Sequence, residues 1–210
     1  KVIVRPETTE EVSKILSLCN QARQPVIVHG GLTGLVYGTR TSSDQLILSL
    51  ERMNAIEEID PIGRTITCQS GVKLQSIQEK AESENMIFPL DLGARGSCSI
   101  GGNISTNAGG NRVIRYGMTR ESVLGLEAVT SDGTILSSMN RMIKNNAGYD
   151  LKQLFIGTEG TLGIVTRCVL RLREAPISQN TALVGIEDFD SIIKFLKHID
   201  SGLGGNMSAF

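Results

Sequence analysis

Glycine is gathered into three dense clusters, and their placement constrains the fold more than any other feature of the sequence. The chain has 210 residues and 23 glycines, which crowd into residues 30–38, 93–110 and 157–163. Clustered glycine indicates backbone at positive φ or in close contact with another group. A flexible linker would be rich in serine and poor in apolar residues, whereas these clusters contain Leu, Ile, Thr and Asn. The sequence therefore predicts three ordered loops, named here the first, second and third glycine loops.

The charge and the cysteines narrow the class of protein. The net charge is -1 with no run of like charge, which predicts neither a nucleic-acid partner nor a polybasic membrane patch. No apolar run is long enough to predict a transmembrane segment. Widely spaced cysteines without a zinc-site pattern predict buried, reduced thiols and a cytoplasmic or mitochondrial matrix location; they are Cys19, Cys68, Cys98 and Cys168.

Hydrophobic periodicity predicts a mixed α and β chain. Strands are predicted at 2–4, 25–28, 46–50, 65–68, 123–129, 134–136, 164–173 and 181–186. Helices are predicted after the capping box at Thr8 to Glu11, around Leu74 to Ala81, at 151–156, and after a cap at Asp190. The first helix lies between two strands, so those strands should be parallel. Residues 88–117 are predicted to be mostly irregular.

The first glycine loop follows a strand directly, so its amides could form a nest for a phosphate. The segment Gly30-Gly31-Leu32-Thr33-Gly34 matches neither a Rossmann fingerprint nor a Walker loop. Taken alone it is better interpreted as a glycine turn.

The other two loops point more clearly to a ligand. The second combines small residues with short polar side chains, which lets backbone approach a large flat ligand closely. The third leads into a long strand, and Glu159 within it fits three roles equally: a structural carboxylate, a ribityl contact or a plain loop acid.

The motifs together resemble the FAD-binding domain of the vanillyl-alcohol oxidase/p-cresol methylhydroxylase (PCMH) superfamily. The resemblance covers about residues 1–175 and rests on GGLTGL at 30–35, GSCSIGGNISTNAGG at 96–110, RYG at 115–117, VLGLE at 123–127, SDGT at 131–134, NNAGYDL at 145–151 and GTEGTLGIVT at 157–166. Within the superfamily, the sequences of these motifs are most similar to those of D-2-hydroxyglutarate dehydrogenases, with D-lactate dehydrogenases and glycolate oxidase flavin subunits as near relatives.

The resemblance implies an α+β fold in two parts. Residues 1–175 would form a PCMH-type FAD-binding domain of two α/β subdomains. Residues 176–210 would begin a truncated α+β substrate domain, with the boundary near Pro176. A chain that starts in a strand-like run without methionine is also expected to be part of a longer protein.

The resemblance also implies which residues hold the cofactor. The pyrophosphate would be held by Gly30, Gly31, Thr33, Gly34 and Leu35. The flavin, ribityl and adenosine path would be lined by Pro89, Gly96, Ser97, Ile100, Gly101, Asn103, Asn107 and Gly109, and completed by Glu159, Gly163 and Ile164. Leu32 and Tyr37 depart from the family pattern, in which Asn and Gly are common.

Two histidines bear on how the flavin is attached. Some superfamily members attach FAD covalently through a His in the first loop, where this chain has Thr33, so non-covalent FAD is expected. His29 is interpreted as a strand-end histidine bonded to backbone, and His198 as solvent-facing.

The implied reaction is oxidation of a small D-2-hydroxy acid to the 2-oxo acid, with hydride passing to the flavin. D-2-hydroxyglutarate is the substrate that the resemblance favours. The catalytic His, the substrate-binding Arg and a divalent-metal site would lie beyond Phe210, so this part is expected to bind FAD without turnover. The electron acceptor could be a quinone, a cytochrome or an electron-transfer flavoprotein. Two alternatives stay open: a MurB-like reductase and a non-catalytic nucleotide-binding module.

Overall fold

A computed structural model describes residues 2–210 as a mixture of helices and strands. The helices are α1 (Thr9–Gln21), α2 (Leu74–Glu82), α3 (Ile100–Ser105), α4 (Val113–Tyr116), α5 (Thr119–Ser122), α6 (Lys152–Phe155) and α7 (Phe189–Leu203). The strands are β1 (Ile3–Val4), β2 (Val26–His29), β3 (Leu46–Ser49), β4 (Ile56–Asp60), β5 (Thr65–Gln69), β6 (Met86–Ile87), β7 (Val123–Val129), β8 (Ile135–Ser138), β9 (Ile164–Arg171) and β10 (Arg173–Glu174).

A small parallel sheet forms the first unit. Its order is β1-β3-β2, so the two strands predicted to be parallel are parallel, with β3 between them. The Thr8 half of the predicted capping box is confirmed, because the Thr8 side chain accepts from the amide of Glu11 at 3.2 Å. The Glu11 carboxylate accepts from the amide of Glu7 at 2.7 Å rather than from that of Thr8. Helix α1 then packs Val12 and Leu16 into this sheet's core, and Cys19 on the same helix is also buried.

A five-stranded antiparallel sheet forms the second unit. Its order is β4-β5-β9-β7-β8, and α2 and α3 contribute to its core. Leu74, Ile77, Ile100 and Ile104 are fully buried there, and each such side chain stabilises the fold by about 1.5–3 kcal/mol. Separate sheets with helices packed against them give the α+β fold that the sequence predicted.

A buried carboxylate joins the two units. Glu127 on β7 accepts from Thr9 Oγ1 at the start of α1 at 2.7 Å and from Thr166 Oγ1 on β9 at 3.3 Å. Arg167 reaches the same carboxylate at 3.4 Å. These bonds fix α1, and with it the small sheet, against the larger one.

Residues 88–117 are mostly irregular as predicted, although the short helices α3 and α4 lie within them. Three other secondary-structure predictions were wrong in detail. The predicted strand at 181–186 is not a strand; no neighbouring strand of the described chain pairs with it, and a strand needs a partner for its hydrogen bonds. Helix α7 is capped by Asp188, not Asp190, since the Asp188 carboxylate accepts from Ser191 N. The long strand predicted at 164–173 ends at Arg171, after which β10 pairs with β6.

The cysteines are all buried and free, as predicted. Cys68 and Cys168 face each other across β5 and β9 with their sulfur atoms 3.6 Å apart. Within residues 2–210, no helix has the length and apolar character needed to span a bilayer. Over the same residues, no group of three or more His, Cys, Asp or Glu side chains is placed to hold a metal ion.

Candidate functional site

The three glycine loops converge on one groove between the two sheets. The groove has a volume of about 570 Å³, within the range of roughly 300–1,000 Å³ usual for small-molecule sites. Residues of all three loops line it, together with Val28 from the small sheet, Leu50 directly after β3 and Val165 from the large sheet. Segments far apart in the sequence therefore face a common space.

The first glycine loop leaves its main-chain donors unused. Among residues 2–210, no backbone amide between Gly30 and Val36 donates a hydrogen bond to another group of the protein. Unpaired amides on a concave surface favour an anionic ligand. The loop is closed at its base, because His29 Nε2 lies 3.1 Å from the Thr39 carbonyl and donates to it. His29 is thus bonded to backbone as predicted, and His198 is exposed as predicted.

The first loop lies directly on the second. A Cβ atom on Gly31 would be 2.5 Å from Cys98 Cα and would also overlap the Ser97 carbonyl oxygen. A Cβ on Gly30 would be 2.5 Å from Ser99 Oγ. Glycine is therefore needed here for contact between two protein segments, independently of any ligand.

The second glycine loop uses its donors within the protein. The amides of Ile100 and Gly101 donate to Val72 and Ser70 carbonyls at 2.9 and 2.8 Å. Ser99 caps α3 by accepting from Gly102 N at 3.4 Å. This loop is therefore a rigid wall of the groove.

The third glycine loop is docked on the end of α3. The amides of Gly157 and Glu159 donate to Ile104 and Ser105 carbonyls at 3.1 and 2.8 Å. Glu159 has a φ of +53° and lies between Gly157 and Gly160, which are also at positive φ. A non-glycine residue rarely adopts this conformation, and it costs about 1–3 kcal/mol.

One polar group lining the groove lacks a partner. Asn103 on α3 is 5% exposed, and its Oδ1 accepts no hydrogen bond from residues 2–210. An unsatisfied buried acceptor costs about 1–3 kcal/mol, which a ligand donor would recover. The neighbouring Cys98 is also buried, and this burial raises the pKa of its thiol, while a hydrogen bond from Asn103 lowers that pKa.

Only one charged side chain lines the groove within the described chain. It is Glu159; the other lining residues are glycine, apolar or neutral polar. An anion in the groove would therefore be held by main-chain amides rather than by lysine or arginine.

The predicted cofactor residues fall into two sets. Those that line the groove are Gly30, Gly31, Thr33, Gly34, Leu35, Gly101, Asn103, Glu159 and Ile164. Those that lie outside its lining are Pro89, Gly96, Ser97, Ile100, Asn107, Gly109 and Gly163.

Several members of the second set pack against protein. Ile100 is fully buried in the core, and Asn107 Oδ1 accepts from the Arg120 amide at 3.0 Å. Cβ atoms on Gly109 and Gly163 would lie 2.5 Å from Met118 Sδ and 2.8 Å from Phe155 Cε1. That the residues outside the groove lining contact a cofactor stays a prediction.

The sequence prediction also missed residues that line the groove. They are Leu32, Val36, Gly38, Thr39, Leu92, Gly93, Ala94, Cys98, Ser99, Gly102, Ser105, Thr106, Ala108 and Gly160, with the sheet residues already named. Gly102 and Ser105 lie on α3 with Asn103, and Thr106 is its C-cap residue, so recognising α3 would have identified them.

Comparison with known proteins supports a nucleotide-binding role. Residues 1–138 match the family described as FAD binding domain. The chain is 46% identical over 209 residues to "D-2-hydroxyglutarate dehydrogenase, mitochondrial" of Danio rerio and 44% identical over 210 residues to the protein of the same name from Bos taurus. Each match covers 100% of this chain and 39% of the relative, so the chain spans about two fifths of the relatives' length.

A solved structure shares the fold. An alkyldihydroxyacetonephosphate synthase superposes with a TM-score of 0.74 at 24% sequence identity. The superposition covers 84% of this chain and 32% of that one. At this identity the likeness concerns the fold alone.

Proposed function

Because this chain belongs to the FAD binding domain family, we propose that it is the flavin-holding part of an enzyme that oxidises a D-2-hydroxy acid. The observation that carries the proposal is the convergence of three glycine loops on one groove. D-2-hydroxyglutarate is the proposed substrate, because proteins named for it match this chain along its whole length.

The groove suits FAD in its chemistry. Unpaired amides of the first loop fit the pyrophosphate, and the unsatisfied Asn103 acceptor fits a hydroxyl or N–H donor. Val28, Leu50 and Ile164 offer apolar surface to a flat ring. Thr33 cannot form a covalent bond to a flavin as histidine does, so the proposed binding is non-covalent.

FAD, when bound, would supply the hydride acceptor. The residues of this chain bind and orient it: the first loop holds the anionic centre, and the second loop and α3 supply a rigid wall. The groups that take the substrate proton and bind its carboxylates are proposed to lie in the remainder of the protein, where a divalent-metal site is also proposed.

The proposal includes a location and an electron partner. A mitochondrial location is proposed, since both relatives carry that word in their names. The electron acceptor is proposed to be a quinone, a cytochrome or an electron-transfer flavoprotein.

The test uses the full-length protein. Purified protein should show the visible absorption of oxidised flavin, and acid precipitation should release that flavin intact because no covalent bond holds it. The bound flavin should bleach fastest with D-2-hydroxyglutarate, compared with D-lactate and glycolate. Protein that stays colourless after incubation with FAD would contradict the cofactor, and equal bleaching by all three acids would contradict the substrate.

A further inference from the structure

Three arginines, named here the arginine cluster, lie at the end of the large sheet that is far from the groove. Arg171 ends β9 and Arg173 begins β10, and Leu172 between them is buried. Side chains alternate along extended backbone, so both arginines lie on the face opposite Leu172, about 7 Å apart along the chain. The Arg64 carbonyl accepts from the amide of Leu172 at 2.8 Å, which places Arg64 beside them.

The arginine cluster is separate from the groove. Strand β9 begins at Ile164, which lines the groove, and it ends at Arg171 in the cluster. A strand of 8 residues spans about 23 Å. A ligand in the groove and a ligand at the cluster would therefore occupy different sites.

The positive charges of the cluster have little compensation. Arg171 and Arg173 are part-buried, yet within the described residues neither side chain makes a hydrogen bond or an ion pair. Arg64 lies 3.8 Å from Glu174, but both side chains are exposed, so this pair contributes little. A guanidinium has five N–H donors, and removing such a group from water without a partner is unfavourable.

The crowding of positive charge acts on Arg173. Partial burial lowers the pKa of the Arg173 guanidinium, and the charges of Arg171 and Arg64 lower this pKa further. The nearby Tyr116 acts in the opposite direction. A lowered pKa of a base means that the folded protein disfavours its charged form, and an anion bound beside the base would reverse that effect.

We propose that the arginine cluster binds a small oxyanion with two or more negative charges, at a site of its own. Arginine forms paired N–H···O bonds with both phosphate and carboxylate groups, so a phosphate and a dicarboxylate share the required chemistry. A small ligand can bridge two arginines about 7 Å apart, whereas an acidic peptide would need a longer row of cations. The site goes beyond the proposed function, since it involves neither the flavin nor the oxidation step.

Calorimetric titration of the full-length protein, saturated with FAD so that the groove is filled, tests the proposal. Phosphate, pyrophosphate and succinate are titrated separately at one ionic strength, because salt screens exposed charges. Tighter binding of the phosphates assigns a phosphate ligand, and tighter binding of succinate assigns a dicarboxylate. Arg173→Gln should weaken binding of the preferred anion about 10-fold or more, because hydrogen bonds between charged groups are lost.

A matched control removes a positive charge elsewhere. Lys14 is exposed on α1, so Lys14→Gln should bind each anion as wild type does. Arg173→Lys keeps the charge but loses the paired donors, so its affinity should lie between those of wild type and Arg173→Gln.

Melting temperatures separate binding from a structural role. Without an added anion, Arg173→Gln should melt about 1–2 °C above wild type, because the crowding of like charges is relieved. With a saturating concentration of the preferred anion, wild type should gain stability and the variant should not.

Four results would overturn the proposal. Wild type that binds none of the three anions has no site at the cluster. Equal affinities of wild type and Arg173→Gln would place the anion elsewhere. A lower melting temperature of Arg173→Gln in both conditions would show that Arg173 only supports the fold. Binding of a polyglutamate peptide, without binding of the small anions, would assign the surface to an acidic protein segment instead.

Discussion

The first and second glycine loops have similar compositions but opposite hydrogen bonding. In the second loop the amides at the start of α3 are paired with Val72, Ser70 and Ser99. In the first loop the amides from Gly30 to Val36 are not paired within the described chain. Leu35 on the first loop is 91% exposed, whereas Ile100 on the second is fully buried.

This difference shows that glycine density alone does not identify a ligand contact. The second loop needs small residues so that it can pack against β5, α2 and the first loop. In the first loop Gly30 and Gly31 are needed for that same contact, whereas the amides from Gly30 to Val36 remain unpaired. We therefore expect ligand binding in this groove to depend on a rigid loop that supports an open one.

The largest effect is expected where the two loops touch. Gly31→Ala forces its Cβ against Cys98 and Ser97 backbone, which neither loop can relieve by rotating a side chain. Such overpacking costs about 1–3 kcal/mol, and FAD affinity should fall on the order of 100-fold as the loops separate. Thermal melting without FAD and calorimetry with FAD measure the two effects.

Gly34→Ala is the matched control for stability. A Cβ at Gly34 meets no atom within 4 Å, so this variant should melt at the wild-type temperature without FAD. If Gly31→Ala also melts at that temperature, the two loops do not support each other as described.

The second-largest loss of FAD affinity is expected for a change in the wall of the groove. Asn103→Leu removes the unpaired acceptor, so FAD affinity should fall about 10-fold. The flavin-free protein should be about as stable as wild type, because the unpaired Asn103 Oδ1 is removed together with the hydrogen bond between Asn103 and Cys98. Parallel losses of stability and affinity would indicate that Asn103 supports only the fold.

The smallest loss of FAD affinity is expected for a change at the base of the first glycine loop. His29→Phe removes the donor to the Thr39 carbonyl and keeps an aromatic ring in place. The lost bond is worth about 1 kcal/mol, so FAD affinity should fall about 5-fold. His198→Phe, a change at an exposed residue, should leave FAD affinity unchanged. An equal loss of FAD affinity in this variant would contradict a specific role for the hydrogen bond of His29.

The elements predicted correctly are those whose signals are local. Helix α1 has a capping box and apolar spacing, and both act within a few residues of each other. Helix α3 was missed because two of its six residues are glycine, which disfavours helix by about 1 kcal/mol each. The Ser99 cap is a local feature, whereas the burial of Ile100 and Ile104 that also stabilises α3 depends on distant parts of the chain.

The site was predictable to the level of loops but not of individual residues. Glycine clusters indicated which segments would meet. Whether a given glycine faces the groove or the protein is decided by its neighbour, such as Met118 for Gly109 or Phe155 for Gly163. Those neighbours are fixed by the tertiary fold, so sequence spacing does not reveal them.

Amide hydrogen exchange on the full-length protein, with and without FAD, tests the contrast between the two loops most directly. Without FAD, amides 30–36 should exchange rapidly and those of Ile100 to Asn103 slowly, since only the latter are paired. Adding FAD should slow exchange at 30–36 and leave α3 unchanged. Equal protection of both loops without FAD, or no slowing at 30–36 when FAD is bound, would contradict the account.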